Sequence, residues 1–220
     1  MTVIKDLENT MICGDSLSVL RELPDGCIDA VITDPPYGIG YVSRNGKQIT
    51  NDKSPFIWFL YDAYRVLKPN GGALVCFTRR DVQQAFIDAM QIAGFRVKSE
   101  LVWNKVHHGM GNTRAQFAPV HENILFAVKG AFAFPGTRPR DLLTCEKLDS
   151  AHRMHPTEKP VGLLEDIITS VTRPGDLILD PFAGSGSTLA AAKQTGRRYI
   201  GVELDAGCFE TARQRLEGAP

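Results

Sequence analysis

Apolar residues along the chain follow two rhythms. Some form short unbroken runs, and others recur every three or four positions over longer stretches. Met11–Cys13, Ala30–Thr33, Ala73–Phe77, Val97–Trp103, Asn123–Val128, Leu177–Asp180 and Tyr199–Glu203 are of the first kind and predict strands. Leu17, Leu20 and Leu23 lie on one face of a predicted helix, which Asp15 or Ser16 can cap and the turn Pro24-Asp25-Gly26 ends. Ser54, with Pro55 at the first helical position, predicts a helix bearing Phe56, Phe59, Leu60, Ala63 and Leu67. It stops at Lys68-Pro69-Asn70-Gly71-Gly72. Further helices are expected from Asp81 to Gly94, from Pro160 to Val171, over Ser187–Thr195 before Gly196, and over Ala206–Glu217. Strands alternating with helices of this length predict an α/β fold, a mostly parallel sheet covered on both faces. Gly38–Lys53 is polar and without period and reads as a mobile loop, and Ala131–His155 shows little periodicity.

With 220 residues the chain fits one domain carrying a small appendage. Its composition, 43% hydrophobic and 23% charged, is that of an ordinary globular protein, and its longest apolar runs are strand-sized. Met1–Leu7 lacks the apolar core of a signal peptide, so a cytoplasmic location and no membrane partner are expected. The five cysteines are scattered and form no CxxC pair, which gives no disulfide framework and no metal site. Cys13 and Cys76 lie in apolar runs and are expected to be buried. A formal net charge of zero rules out a uniformly basic coat but leaves room for one basic face.

Candidate chemistry begins at Leu177–Thr188: a strand ending in Asp180-Pro181, then Phe182-Ala183-Gly184-Ser185-Gly186, then Ser187-Thr188 opening a helix. Glycines let backbone approach a ligand, and a helix N-terminus offers unpaired N–H groups. Glu203 closes the next strand, about 20 residues on, where a carboxylate can accept ribose hydroxyls. A dinucleotide loop would have glycine where Leu189 stands, and no GxxxxGK occurs, so a nucleoside cofactor other than a dinucleotide or a phosphate-loop nucleotide is expected. A tight strand–helix turn can also need these glycines for structure alone.

The second feature is Asp34-Pro35-Pro36-Tyr37, directly after the run Ala30–Thr33. It can be a plain strand-ending turn. It can also activate the exocyclic amine of a base, whose lone pair is delocalised into the ring. Hydrogen bonds from the amine to the Asp34 carboxylate and the Pro35 carbonyl favour tetrahedral nitrogen, while Pro36 stiffens the turn and offers no competing N–H. Tyr37 offers a face on which an extruded base can stack.

Asp34–Tyr37 resembles the DPPY motif, and Phe182–Gly186 the FxGxG motif, of amino-methylating DNA methyltransferases. Tyr199–Asp205 is similar to their ribose-holding segment, and His155-Pro156-Thr157-Glu158-Lys159-Pro160 to the one lining the methionine end of the cofactor. Gly14-Asp15-Ser16 matches the place where an Asp contacts the cofactor's adenine. The resemblance spans nearly the whole chain. It implies a Rossmann-like fold using S-adenosyl-L-methionine, with Asp34, Pro35, Pro36 and Tyr37 catalytic. The cofactor would lie against Asp15, Ser16, Asp34, Lys159, Asp180, Phe182, Ala183, Gly184, Ser185, Gly186, Ser187, Thr188, Glu203 and Leu204. The catalytic motif precedes the cofactor motif, a circularly permuted order similar to the beta group of the family, whose target-recognition region lies between them.

That region, about residues 106–155, holds all five histidines and many cations. Arg114, Arg138 and Arg140, with Arg44 and Lys47 in the Gly38–Lys53 loop, are candidates to touch double-stranded DNA, although each is also an ordinary solvated charge. A homodimer and a cognate restriction endonuclease are both compatible with the sequence. Asp34 points to adenine N6 ahead of cytosine N4, where a leading Ser is common. C5 methylation is rejected because no Cys follows a Pro. RNA or protein-amide enzymes typically begin the motif with Asn, and an inactive binding module need not keep Asp34–Tyr37 and Gly184/Gly186 intact.

Overall fold

The computed structural model describes residues 4–38, 40, 53–109, 114–147 and 158–218. Strands β1 (Thr10–Cys13), β2 (Ala30–Thr33), β3 (Gly72–Thr78), β4 (Arg96–Asn104), β5 (His121–Lys129), β6 (Leu142–Thr144), β7 (Leu177–Asp180) and β8 (Arg198–Glu203) form one sheet in the order β1-β8-β7-β2-β3-β5-β4-β6. The run from β1 to β3 across the sheet is parallel, and β5 is antiparallel to both β3 and β4. The helices are α1 (Ile4–Leu7), α2 (Ser16–Glu22), α3 (Phe59–Val66), α4 (Gln83–Ala93), α5 (Val161–Val171), α6 (Ser187–Gln194) and α7 (Ala206–Gly218). The α/β expectation is met, Rossmann-like and with the strand order of the permuted motifs. Strands β7, β8 and β1 form one half of the sheet and β2, β3, β5 and β4 the other.

Strand β3 shows why this sheet has two cores. All its residues are buried, and alternate side chains point to opposite faces. Leu74 and Cys76 join the core under α2, α3 and α4, built on Leu20, Phe59, Leu60, Phe86 and Met90. Ala73, Val75 and Phe77 join the opposite core under α5 and α6, with Leu163, Leu164, Ile167, Ile168 and Leu189.

The structure corrects the sequence reading in several places. Helix α3 begins at Phe59, not at Pro55, and Ser54 does not cap it. Phe56 N–H donates to Pro36 O at 3.0 Å, and the Phe56 ring packs edge-on against Phe182, so the segment is spent on anchoring the Asp34–Tyr37 turn. Helix α4 begins two residues late because Asp81 pairs with Arg79 instead of capping it. Cys13 is exposed at the end of the edge strand β1, while Cys76 is buried as expected. Helix α1 and strand β6 were not legible as elements. Strand β6 is a three-residue strand beside β4, and Cys145 O next to it accepts from the Trp103 indole at 2.8 Å. Most of the Gly38–Lys53 loop, with Arg44 and Lys47, lies outside the described residues, as does His155-Pro156-Thr157.

Candidate active site at the carboxyl edge of the sheet

Strands β1, β8, β7 and β2 run parallel, so Cys13, Glu203, Asp180 and Thr33 all end at one edge of the sheet. In open α/β sheets ligands bind outside this edge. The cofactor and catalytic motifs, far apart in sequence, meet here. The seam between them is a buried hydrogen bond from Thr33 Oγ1 to Asp180 Oδ1 at 2.7 Å. Asp180 Oδ1 also accepts from Phe182 N–H at 3.1 Å. Burial pushes the Asp180 carboxyl up to about 6, against hydrogen bonds from Thr188, Thr33 and Phe182 that favour its charge.

The turn after β7 is built around two glycines with different tasks. Gly186 has a φ of 78°, and a Cβ there would meet the Ala212 Cβ at 2.8 Å, so the turn packs against α7. Gly184 also has a left-handed φ, 53°, but nothing lies within 4 Å of the place its Cβ would take. That open cradle is what a ligand lying across the turn needs. Glu203 fixes the cradle: its Oε2 accepts from Gly184 N–H and its Oε1 from Asp205 N–H, both at 2.8 Å. A carboxylate has about four acceptor positions, so both oxygens keep capacity for ribose hydroxyls. Leu204 is exposed beside it. These residues fit a nucleoside cofactor.

Other expected cofactor residues carry structural duties as well. Asp15 Oδ1 caps α2, accepting from Ser18 N–H and Ser18 Oγ at 2.9 Å, and Ser16 is buried in the first turn. Ser187 Oγ accepts from Arg215 at 2.5 Å, and Arg215 also pairs with Glu158. Phe182 packs between Phe56 and Phe59, and Ala183 and Ser185 are buried in the turn.

At the catalytic side the Asp34 carboxylate is held from two directions. Tyr37 Oη donates to Oδ1, and Lys159 Nζ lies 2.5 Å from Oδ2. Pro36 O is taken by Phe56 N–H, whereas among the described residues Pro35 O accepts no hydrogen bond. Pro35 therefore has the carbonyl available for an incoming amine. Tyr37 is half-buried, wedged against both cores, with its hydroxyl turned to Asp34. Burial first, and then the charge of Asp34, drives the Tyr37 hydroxyl well above its ordinary range, so it stays a donor.

Lys159 was expected at the cofactor's methionine end, and the structure pairs it with Asp34. A second partner, not anticipated from the sequence, is Glu122 at the start of β5, whose Oε2 lies 3.3 Å from Lys159 Nζ. Glu122 Oε1 pairs with Lys105 Nζ at 2.6 Å. The Lys159 side chain is 10% exposed and its Nζ sits 4.9 Å from the centre of the Phe77 ring. Burial opposes its charge, but Asp34 and Glu122 outweigh burial and raise its proton affinity above the usual lysine range. Burial likewise opposes ionisation of Glu122, and Lys159 and Lys105 overcome it. The one signal in the sequence was the adjacency of Glu122 to a strand entering the sheet, which by itself marks no function.

Among the DNA-facing candidates, Arg138 and Arg140 are exposed in the segment between β5 and β6, and Arg114 is exposed in the connection between β4 and β5. Because β5 runs antiparallel to β3, pairing Asn123 with Thr78, that connection leaves from the same edge as the site.

A family model described as DNA methylase, for N6 and N4 methyltransferases, matches residues 28–214. The chain belongs to the DNA methylase family. The methyl donor of this family is S-adenosylmethionine. The methylase is 39% identical over 209 residues to the YubD protein of Escherichia coli (strain K12), covering 93% of this chain and 88% of that one. It is 30% identical over 248 residues to the DNA adenine methyltransferase YhdJ of the same strain, covering 96% of this chain and 83% of the relative. Among solved structures it is similar to M1.HpyAVI crystallised with SAM, with a TM-score of 0.76, 28% identity, and 94% and 98% of the two chains covered. The cytosine-N4-specific PvuII DNA methyltransferase shares the fold, with a TM-score of 0.78 at 20% identity over 94% and 85% of the chains. Among the described residues, no helix is long and apolar enough to cross a membrane.

Proposed function

We propose that the methylase transfers a methyl group to N6 of an adenine extruded from double-stranded DNA, with Asp34 and the Pro35 carbonyl receiving the amine. The observation that carries this reading is the Asp34 carboxylate at the end of β2, one residue from the Thr33–Asp180 hydrogen bond that ties it to the cofactor turn. Amine and donor are thereby brought to one edge, and catalysis is positioning plus electrostatics. When bound, S-adenosylmethionine supplies an electrophilic methyl on a sulfonium. Gly184 and its neighbours Phe182, Ala183, Ser185 and Gly186 would cradle it, Glu203 would take the ribose hydroxyls, Leu204 would cover the adenine ring and Asp15 would meet its amine. Ser16, Ser187, Thr188 and Asp180 shape this pocket from behind.

The choice of adenine is supported by the acidic Asp34 and by the likeness to YhdJ, a DNA adenine methyltransferase by name. Nucleoside mass spectrometry of unmethylated DNA incubated with protein and S-adenosylmethionine should give N6-methyladenine as the dominant product. Recovery of N4-methylcytosine alone would leave the chemistry standing and overturn the substrate.

Arg138 and Arg140, with Arg114, are proposed to meet phosphates. Each lost phosphate contact lowers the salt slope of binding by about 0.9. Replacing Arg138 and Arg140 with Ala should therefore weaken DNA binding and flatten the log–log salt plot by up to about 2. An unchanged slope in a fluorescence-anisotropy titration would move the DNA surface elsewhere.

A further inference from the structure

We infer that Glu122 is a positioning residue for methyl transfer: it offers Lys159, which sits on Asp34, a second carboxylate to turn to, so that Asp34 can receive the target amine. The inference rests on the catalytic reading of Asp34. Its basis is a line of alternating charges, Lys105, Glu122, Lys159 and Asp34, of which Lys159 is the least exposed. Lys159 is buried and has two carboxylates to satisfy, at 2.5 Å and 3.3 Å. A buried ammonium facing one carboxylate would satisfy itself on that group alone and take up its acceptor positions. With Glu122 opposite, Lys159 can give up part of its contact with Asp34 Oδ2 without being left unpaired.

The reaction itself makes this division useful. The amine lone pair forms the N–C bond as the C–S bond breaks with its electrons going to sulfur, so positive charge moves from sulfur to nitrogen. One amine proton then leaves, to Asp34 and on to water, giving the neutral methylamine. A full positive charge of Lys159 beside Asp34 opposes charge arriving on that nitrogen. Glu122 offsets it from behind, while Lys105, on the other oxygen of Glu122 and 19% exposed, is the better screened of the two cations.

The cluster predicts that the effect of Glu122 depends on Lys159. Glu122→Gln removes the offset and should lower the single-turnover rate about 10- to 100-fold, less than the roughly 10²- to 10³-fold cost of removing a charge-stabilising group that touches the reacting atoms, because Glu122 acts through Lys159. Calorimetry should find the cofactor Kd changed by less than about twofold, because Glu122 faces Lys159 and not the Gly184 cradle. In a Lys159→Gln background two half-buried carboxylates are left beside the place of their shared cation. There the same Glu122→Gln change should lower the rate far less, because the charge that Glu122 offsets is gone, and it should raise the unfolding midpoint of the cofactor-free protein. Glu122→Asp, which keeps the charge, should recover part of the activity that Glu122→Gln loses.

Measurement of rate, cofactor Kd and unfolding midpoint for the four corners of this cycle tests the inference, with Asp34→Ala as reference. An unchanged rate in Glu122→Gln, or strictly additive effects on rate, overturns it. So does a cycle that couples in the midpoint but not in the rate, since the cluster is then structural. Retained turnover in Asp34→Ala is a different failure, that of the catalytic reading itself.

Discussion

Replacing Asp34 with Ala should cut methyl transfer by about 10²- to 10⁴-fold, the range for losing a group that handles charge or protons in the transition state. The cofactor Kd should change by less than about twofold, because the Gly184 cradle and Glu203 belong to β7, β8 and the turn between them. The substitution removes the anion to which both Tyr37 and Lys159 are bound. Lys159 keeps Glu122, so the buried ammonium is not stranded and the fold should hold. Asp34→Asn is the finer probe. Its amide oxygen can still accept, but it carries no charge to receive the cation forming on the base nitrogen, so it should fall between wild type and Ala. Single-turnover transfer to duplex DNA, paired with calorimetry of cofactor binding, separates the two quantities. Substantial turnover in the Ala variant would remove Asp34 from the reaction.

Glu203→Ala is expected to have the largest effect on the cofactor side. The notion of a ribose-binding acid alone gives about 1.5–3 kcal/mol for a hydrogen bond to a charged group, or roughly 10- to 100-fold in Kd. The structure adds a second loss, because Glu203 also accepts from Gly184 N–H and Asp205 N–H and so holds the turn in shape. The upper end of that range is therefore expected. Glu203→Gln separates the two contributions: it keeps an oxygen for one backbone N–H but not a pair of anionic acceptors. Cofactor affinity that survives Glu203→Ala unchanged would place the ribose contact elsewhere.

Most strands could be read from the sequence because a buried strand leaves a short apolar run bounded by turn residues, as at Ala30–Thr33 and Leu177–Asp180, both found with those bounds. Periodicity misjudged α3, since Phe56 fits the helical spacing yet lies outside the helix, bonded to Pro36. It could not register β6, three residues whose only sheet partner among the described residues is β4. Motifs located Asp34, Gly184 and Glu203 because each sits where a strand ends and a turn must be of a particular kind. No local pattern could reveal that Glu122 and Lys159 converge on Asp34. Lys159 and Asp34 are 125 residues apart, and their meeting depends on sheet order.

Among the described residues strand β1 has a single neighbour in the sheet, β8, and their junction joins residues as far apart as Asn9 and Tyr199, a separation of 190. Loop closure on that scale must precede any sheet bonding for β1. During synthesis, therefore, β1 has no strand to pair with until Arg198–Glu203 has been made. Strands β2 and β3, by contrast, are joined across fewer than 50 residues and can pair early. The proposed cofactor edge of the sheet is thus completed last, by a chain in which the strand before Asp34 is already paired.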